Sequence, residues 1–430
     1  QPGNRERQQR GGIDGEKTVT DIERNRDLDI VVYGATGFTG TLVAEYLLRQ
    51  YGVGKDVRWA IAGRSASKLA DVKKQLGESA AEIEVIVADS SDMDALASLA
   101  KRTRVVLTTV GPYAIYGSTL VAACVEAGTD YCDLAGETQW IRKMIDTYHE
   151  RARETGARIV HCCGFDSVPM DMGVWFLQDA ARKNHGAYCK KISLYVKATK
   201  GTASGGTLAS MINIIEEAKA DRNIARLMAN PYALNPEGQR EGPDGSDQKN
   251  VIYDDDADSW TAPFVMAGIN TRVVRRSHAL AGFPYGQDFQ YHESTLTGKG
   301  SGGWMKGTLM TLGLGGLVFG ISLGPTRKLL QRFVLPKPGE GPDRELQHSG
   351  FFNLMQIGVL PDGTSIRTRI TGDQDPGYGS TSKMLSEAAV CLAKDELDAE
   401  GGCMTPATAL GGKYLDRLRE NAGLTFDIVD

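Results

Sequence analysis

A turn with almost no side chains constrains this chain more than any other stretch. The apolar run 29–33 ends in Gly34-Ala35-Thr36-Gly37-Phe38-Thr39-Gly40, and beyond it Phe38, Leu42, Val43, Tyr46 and Leu47 fall on one helical face. A strand that meets a helix through glycines leaves backbone N–H groups and the positive helix end uncovered, which is what a pyrophosphate needs. The alternative is a glycine turn that serves only the fold. The chain then continues to alternate strand with helix, which favours the phosphate seat.

The spacing predicts strands over 29–33, 57–62, 82–87, 104–110, 130–134 and 158–162, with amphipathic helices between them. The fold class is therefore α/β, with an N-terminal Rossmann doubly wound parallel sheet over 28–165. After Gly164 the alternation stops, and 191–197 and 270–276 alternate as antiparallel strands do. A second α+β domain with a mainly antiparallel sheet is expected over 166–384, with a polar surface loop at 235–258. Helices at 382–392 and 411–421 belong mostly to a carboxy-terminal segment, 385–430, that returns to the Rossmann domain.

Residues 1–27 carry six basic and six acidic side chains and only Ile13, Val19 and Ile22 as sizeable apolar groups, too few to repay ordering. A flexible arm is expected there. The first methionine is Met93, so the chain as given is read as having lost its start through processing, trimming or incomplete assignment. Seven cysteines, an odd number that includes the adjacent pair Cys162 and Cys163, argue against a secreted disulfide framework and for an intracellular setting, with import into a mitochondrion or plastid left open. With 49 Lys and Arg against 54 Asp and Glu there is no basic field, so nucleic acid is not an expected partner.

The identity of the cofactor turns on the tip of the second strand. An NAD site would place an acid there, about 20 residues past the glycines, to hold the ribose hydroxyls. This chain has Gly63-Arg64-Ser65 instead, with Lys68 one turn on. A guanidinium takes a 2'-phosphate bidentately where a carboxylate repels it, so NADP(H) is expected; a surface ion pair is the alternative use of Arg64. Expected around the cofactor are Gly34, Thr36, Gly37, Phe38, Thr39, Gly40, Arg64 and Lys68, with Asp89 and Ser90 on the adenine side and Val110, Gly111 and Pro112 near the nicotinamide ribose.

The runs 29–40, 62–64, Val110-Gly111-Pro112-Tyr113, Asp133-Leu134-Ala135-Gly136-Glu137 and Gly164-Phe165-Asp166-Ser167-Val168-Pro169 together resemble the saccharopine dehydrogenase-like oxidoreductases. Further on, Ser204-Gly205-Gly206-Thr207 and the stretches 262–276 and 372–383 resemble the branch of trans-acting enoyl reductases, so that the likeness runs from about 28 to the end. The resemblance implies a second domain whose sheet covers the nicotinamide end, and hydride transfer from NADPH to a carbon–carbon double bond of a fatty or polyketide acyl group. Animal homologues are associated with lipid droplets. A substrate such as saccharopine, with several carboxylates, would need a basic cluster in the second domain, whereas 204–211 is Gly, Thr, Ser and apolar.

Such a reduction also needs a proton donor. Tyr113 and Asp166 are the candidates, with Tyr116, Asp133, Glu137 and Ser167 nearby, each against the alternative of a helix cap or ribose contact. His161-Cys162-Cys163 cannot close one metal site, because consecutive strand residues face opposite ways; no metal is expected. One stretch remains, the apolar insert 303–335, whose 18 residues from 307 to 324 carry no charge. As a helix those 18 would fall just short of a ~30 Å hydrocarbon core, and Lys306, Arg327, Lys328, Arg332 and Lys337 flank them, which suits a peripheral anchor on a membrane or lipid-droplet surface or a docking face for a protein. A saccharopine-type amino-acid reductase and a non-catalytic reductase-fold subunit of a larger assembly are the competing readings.

Overall fold

Every residue of β1 (Leu28–Tyr33) is buried, as happens to an apolar run at the centre of a sheet covered on both faces. The chain goes on through α1 (Phe38–Tyr51), β2 (Trp59–Gly63), α2 (Ala66–Leu76), β3 (Glu84–Val87), α3 (Met93–Arg102), β4 (Thr103–Thr108), α4 (Tyr113–Tyr116), α5 (Ser118–Ala127), β5 (Asp130–Cys132), α6 (Thr138–Thr155) and β6 (Arg158–Val160). Ile30 and Val32 enter one apolar cluster and Val31 and Tyr33 the other, so helices pack on both faces. β1 pairs in parallel with β2 on one side and β4 on the other, and the order of the sheet reverses there. The crevice beyond that reversal is where such sheets bind ligands.

The computed structural model describes residues 26–202, 205–333 and 341–429. The arm expected at 1–27 lies outside the described residues except for its last two. Those two are anchored: Arg26 is 8% exposed and donates to the carbonyls of Thr103, Ala127 and Gly128 and to Thr129 Oγ1, while Asp27 pairs with Arg102.

Past β6 come α7 (Val168–His185), β7 (Lys191–Lys200), α8 (Gly205–Ala220), α9 (Arg222–Ala229), β8 (Ile252–Asp254), β9 (Ser259–Pro263), α10 (Ala267–Leu280) and β10 (Gln290–Gly298). Then follow α11 (Gly300–Ser322), α12 (Gly324–Phe333), α13 (Arg344–Ser349), β11 (Phe351–Val359), β12 (Ser365–Gly372), α14 (Thr381–Lys394), β13 (Gly402–Met404), α15 (Pro406–Glu420) and β14 (Leu424–Val429). The second sheet runs β14-β12-β11-β7-β10-β9-β8 and is antiparallel apart from the β7–β10 pair.

Three expectations are corrected. The stretch 270–276 is not a strand but part of α10. Its three arginines are buried and grip the preceding loop: Arg272 pairs with Asp247, Arg275 donates to Asp244 Oδ2 at 2.6 Å, and Arg276 donates to the Leu234 and Cys403 carbonyls. For the same reason 235–258 is not simply a surface loop, since Asn235 and Asp244 are buried. The first sheet has seven strands rather than six, because β13 adds in parallel beside β6. The carboxy-terminal stretch thus serves both sheets: α14 packs on β1, β4 and β5, while β14 pairs with β12.

α11 begins earlier than the uncharged run and has 23 residues, about 34 Å at 1.5 Å per residue, so it is long and apolar enough to cross a membrane. Its two ends are attached to the protein, and little of it is buried. Gly303 and Gly307 face β9 and β10 so closely that a Cβ would stand 2.0 Å from the Gly298 carbonyl oxygen and 3.1 Å from Thr297 Oγ1. At its far end Ser322 accepts from Lys219 of α8, and Arg327 pairs with Glu216 of the same helix. Between these pins it turns Trp304, Met305, Leu309, Leu312 and Phe319 to the outside, Leu309 and Phe319 each 66% exposed.

Candidate functional site

A cleft of about 630 Å³ opens over the carboxyl ends of the first sheet, with the second unit as its far wall. Its floor is the glycine bend. Gly34 has φ +90° and a Cβ there would lie 2.5 Å from Val110 Cγ2, so only glycine sits easily in this turn. Gly37 caps α1 without any side-chain hydrogen bond, which leaves the first N–H groups of the helix facing the cleft. Gly40 does not line the cleft; it lets α1 approach β1, since its Cβ would stand 2.2 Å from the Gly34 carbonyl oxygen. These residues fit a dinucleotide pyrophosphate.

At one end of the cleft stand Arg64, at the tip of β2, and Lys68, in the first turn of α2. Among the described residues neither side chain makes an ion pair or a hydrogen bond, so the surface-pair use of Arg64 has no partner. Thr36, Phe38, Thr39, Ser90, Val110 and Gly111 also line the cleft. Asp89 and Pro112 do not. The Asp89 carboxylate accepts from Ser91 N at 2.9 Å and Ser91 Oγ at 2.7 Å, bonds that with the nearby Arg64 charge hold it below the usual carboxylate range, so it shapes its own turn. Pro112 forms a cis peptide with Gly111 and starts α4.

The two candidate donors come apart. Tyr113 is buried, stacks on Trp140 and has its hydroxyl tied to the backbone, donating to the Thr108 carbonyl at 3.3 Å and accepting from Leu134 N at 3.4 Å. Burial, with Asp133 close by, pushes this phenol well above its ordinary range. Asp166, on the loop from β6 to α7, lines the cleft and makes no hydrogen bond or ion pair among the described residues; burial pushes its carboxyl up to about 6. The neighbouring acids are structural. Asp133 accepts from Tyr131, Ala135 N and Cys162 N and pairs with His161, and Glu137 accepts from Tyr113 N, Ala114 N and Ser210 Oγ. Ser167 bonds to Asn270.

The far wall comes from α8 and the turn into α10: Gly206, Thr207, Ser210, Met211, Ile214, Val265, Met266 and Ile269. The uncharged, partly apolar character of 204–211 is legible in the sequence, whereas the residues of 265–269 that it meets across the cleft are not. Thr138, whose buried hydroxyl has no partner among the described residues, and Tyr378, whose hydroxyl accepts from Gly205 N at 3.1 Å, also line the cleft. Neither carries a local signature, because each reaches the cleft from a different part of the chain. The run 161–163 is a buried stretch, and no group of three or more metal-ligating side chains exists among the described residues.

A glycine cradle at the switch point, two cations without an ion-pair partner among the described residues at one end and a mainly apolar chamber with the single carboxyl of Asp166 at the other fit a dinucleotide-dependent oxidoreductase. Residues 30–160 match the family model described as the saccharopine dehydrogenase NADP binding domain. A protein of Mycobacterium tuberculosis that carries the provisional name trans-acting enoyl reductase is 42% identical over 407 residues, 91% of this chain and 96% of that one. The trans-acting enoyl reductase of Mycobacterium ulcerans is 36% identical over 409 residues with the same coverage. Among solved structures, saccharopine dehydrogenase (L-Glu forming) from Saccharomyces cerevisiae superposes with a TM-score of 0.52, covering 94% of this chain and 100% of that one at 12% identity, a likeness of fold. The chain belongs to the saccharopine dehydrogenase-like oxidoreductases, in the branch of the trans-acting enoyl reductases. It is an NADP-dependent oxidoreductase and its cofactor is NADP(H).

Proposed function

We propose that this protein reduces a carbon–carbon double bond of a lipid-like or polyketide acyl substrate at the surface of a membrane or lipid body inside the cell. The relatives' name points to enoyl reduction, and one observation carries the substrate class: the only cations lining the cleft among the described residues are Arg64 and Lys68, at the cofactor-phosphate end, while Met211, Ile214, Met228, Val265 and Met266 line the other. A substrate with several carboxylates would leave its charges unpaired in that chamber, at a cost of several kcal/mol, about 3–5 for one broken buried pair. The amino-acid reductase reading is disfavoured on that ground.

Bound in the cleft, NADPH would supply a hydride from C4 of its nicotinamide. The chain's own residues do the rest. The open N–H groups at the start of α1 would hold the diphosphate, with Gly34 and Gly37 leaving room for its approach, Arg64 and Lys68 would hold the 2'-phosphate, and Thr36, Phe38, Thr39, Ser90, Val110 and Gly111 would shape the walls. Thr138 has a free hydroxyl to offer the acyl carbonyl. The apolar wall excludes water from the reacting carbons.

The lipid surface is supported by α11 and by its attachment. Between Glu293 and Glu340 the sequence has no acid and six Lys and Arg, a charge balance suited to anionic headgroups. The helix is pinned at both ends, so its apolar face meets lipid in the plane of the surface rather than across it. The pin at Ser322 and Arg327 is α8, the helix whose earlier turns wall the cleft, and this link between α11 and the apolar end of the chamber supports the reading.

The test is consumption of NADPH by the purified chain with α,β-unsaturated acyl thioesters of increasing chain length, followed by cofactor fluorescence and product mass. Turnover that rises with chain length is expected. Turnover with saccharopine and none with any unsaturated acyl group would contradict the proposal.

A further inference from the structure

We propose that Asp166 is the group that protonates the substrate. The inference rests on the acyl double-bond reduction proposed above. When one carbon of a conjugated double bond accepts a hydride, the π pair moves to the carbon beside the carbonyl, and that carbon must gain one proton. In this step the O–H bond of the Asp166 carboxyl breaks, a C–H bond forms, the carbonyl is restored, and the carboxylate left behind takes a proton back from water. Two electrons and two hydrogens have then been added across the bond.

Position argues for this residue first. The sheet order places the diphosphate bend after β1 and the cations after β2, so a dinucleotide lying along the crevice carries its nicotinamide toward β4, β5 and β6. Asp166 stands after β6, at that end. It is the single carboxyl lining the cleft among the described residues, and nothing there binds it. Asp133, Glu137 and Asp171 pack around the same loop, but each is held: Asp133 and Glu137 as above, Asp171 by Ser277 Oγ and by Ala407 N at 2.8 Å. Tyr113 is tied to the backbone. Of the other phenols at this end, Tyr378 is engaged by Gly205 N, and Tyr116 is 42% exposed.

The apolar surroundings also set the pH range. Burial raises the Asp166 carboxyl to about 6, so the acid form survives close to neutrality but declines tenfold per unit above that. The other titratable groups lining the cleft are Tyr33, Tyr113, Tyr116 and Tyr378, with Arg64 and Lys68 at the far end; Cys162 and Cys163 precede Asp166 on the same loop, the Asp133–His161 pair and Glu137 belong to the strand ends beside it, and Asp171 follows on α7. Asp171, likewise raised to about 6, does not line the cleft, so it serves as the internal control.

The experiment uses the full chain as wild type, Asp166→Asn and Asp166→Glu, with an α,β-unsaturated acyl thioester as probe. Three quantities are measured: NADPH affinity by fluorescence, the pH profile of turnover, and carbon NMR of the aspartate carboxyls in cofactor-free protein. Asp166→Asn should bind NADPH as the wild type does, lose on the order of 100-fold or more in turnover, and lose a carboxyl signal that titrates near 6, with that of Asp171 retained. Asp166→Glu should regain part of the rate and keep the limb that falls above about pH 6. If Asp166→Asn turns over like the wild type with the same falling limb, or the signal it removes titrates in the ordinary range, the assignment is overturned; a loss confined to Tyr116→Phe would move the role to that phenol. A wild-type chain that reduces no unsaturated acyl group overturns the substrate reading, and this inference with it, whereas an active wild type with an unaffected Asp166→Asn removes this inference alone.

Discussion

Gly40 decides how close the first helix comes to the first strand. A methyl group there would meet the Gly34 carbonyl oxygen at 2.2 Å and Ala35 Cα at 2.8 Å, both backbone atoms that cannot turn aside. Gly40→Ala should therefore push α1 off the sheet, cost about 1–3 kcal/mol in urea unfolding, and weaken NADPH binding, since the N–H groups that face the diphosphate move with the helix. Unchanged stability and affinity would mean that the approach is not needed. Residues of this kind are legible in a sequence, because glycines at a strand-to-helix junction have one common use. Arg272, Arg275 and Arg276 were not. Cations are normally solvated, so nothing in 270–276 announces three buried arginines; the carbonyls and carboxylates of 228–247, with the Tyr291 and Cys403 carbonyls, account for their burial and come close only by folding. Asp166 could be placed near the nicotinamide end from sequence, yet its freedom from partners appears only once Asp133, Glu137 and Asp171 are seen to be occupied.

Among the elements, the alternating strands and helices of the first sheet follow from local pattern, and their positions shift only at the ends. β13 was invisible: three residues, Gly402–Met404, form a strand only because β6 offers an edge more than two hundred residues earlier in the chain. α11 contains the uncharged run of the sequence, and two of its glycines mark where the helix is pressed on β9 and β10, while its outer face is left apolar. If that face lies on lipid, the chain should sediment with vesicles containing anionic phospholipid and release them as salt rises. Charges placed on the outer face, Leu309→Glu with Phe319→Glu, should abolish sedimentation while leaving NADPH affinity intact. Equal sedimentation of wild type and double variant, or a wild type that ignores vesicles and forms a defined complex with itself or another protein through this face, would replace lipid by protein as its partner.

At the scale of the whole molecule the cleft exists because two sheets share their supports. α7 leaves the loop that carries Asp166 and packs on β11, β12 and β14 of the second sheet, while α14 packs on β1, β4 and β5 of the first. The chamber is thus built from residues as distant as Gly34 and Tyr378, which is why its chemistry was legible at the cofactor end, where a short motif suffices, and only in character at the substrate end. The proposed chemistry depends on the glycine bend holding a dinucleotide diphosphate while Arg64 takes the additional phosphate. Titration calorimetry of the wild type and of Arg64→Ala with NADPH and with NADH tests it most directly. The expected result is tighter binding of NADPH than of NADH by the wild type, with a loss of about 10-fold or more for NADPH alone in the variant, as for removal of one charge-assisted hydrogen-bonded pair worth about 1.5–3 kcal/mol. Equal losses for the two dinucleotides, or no heat with either, would contradict it.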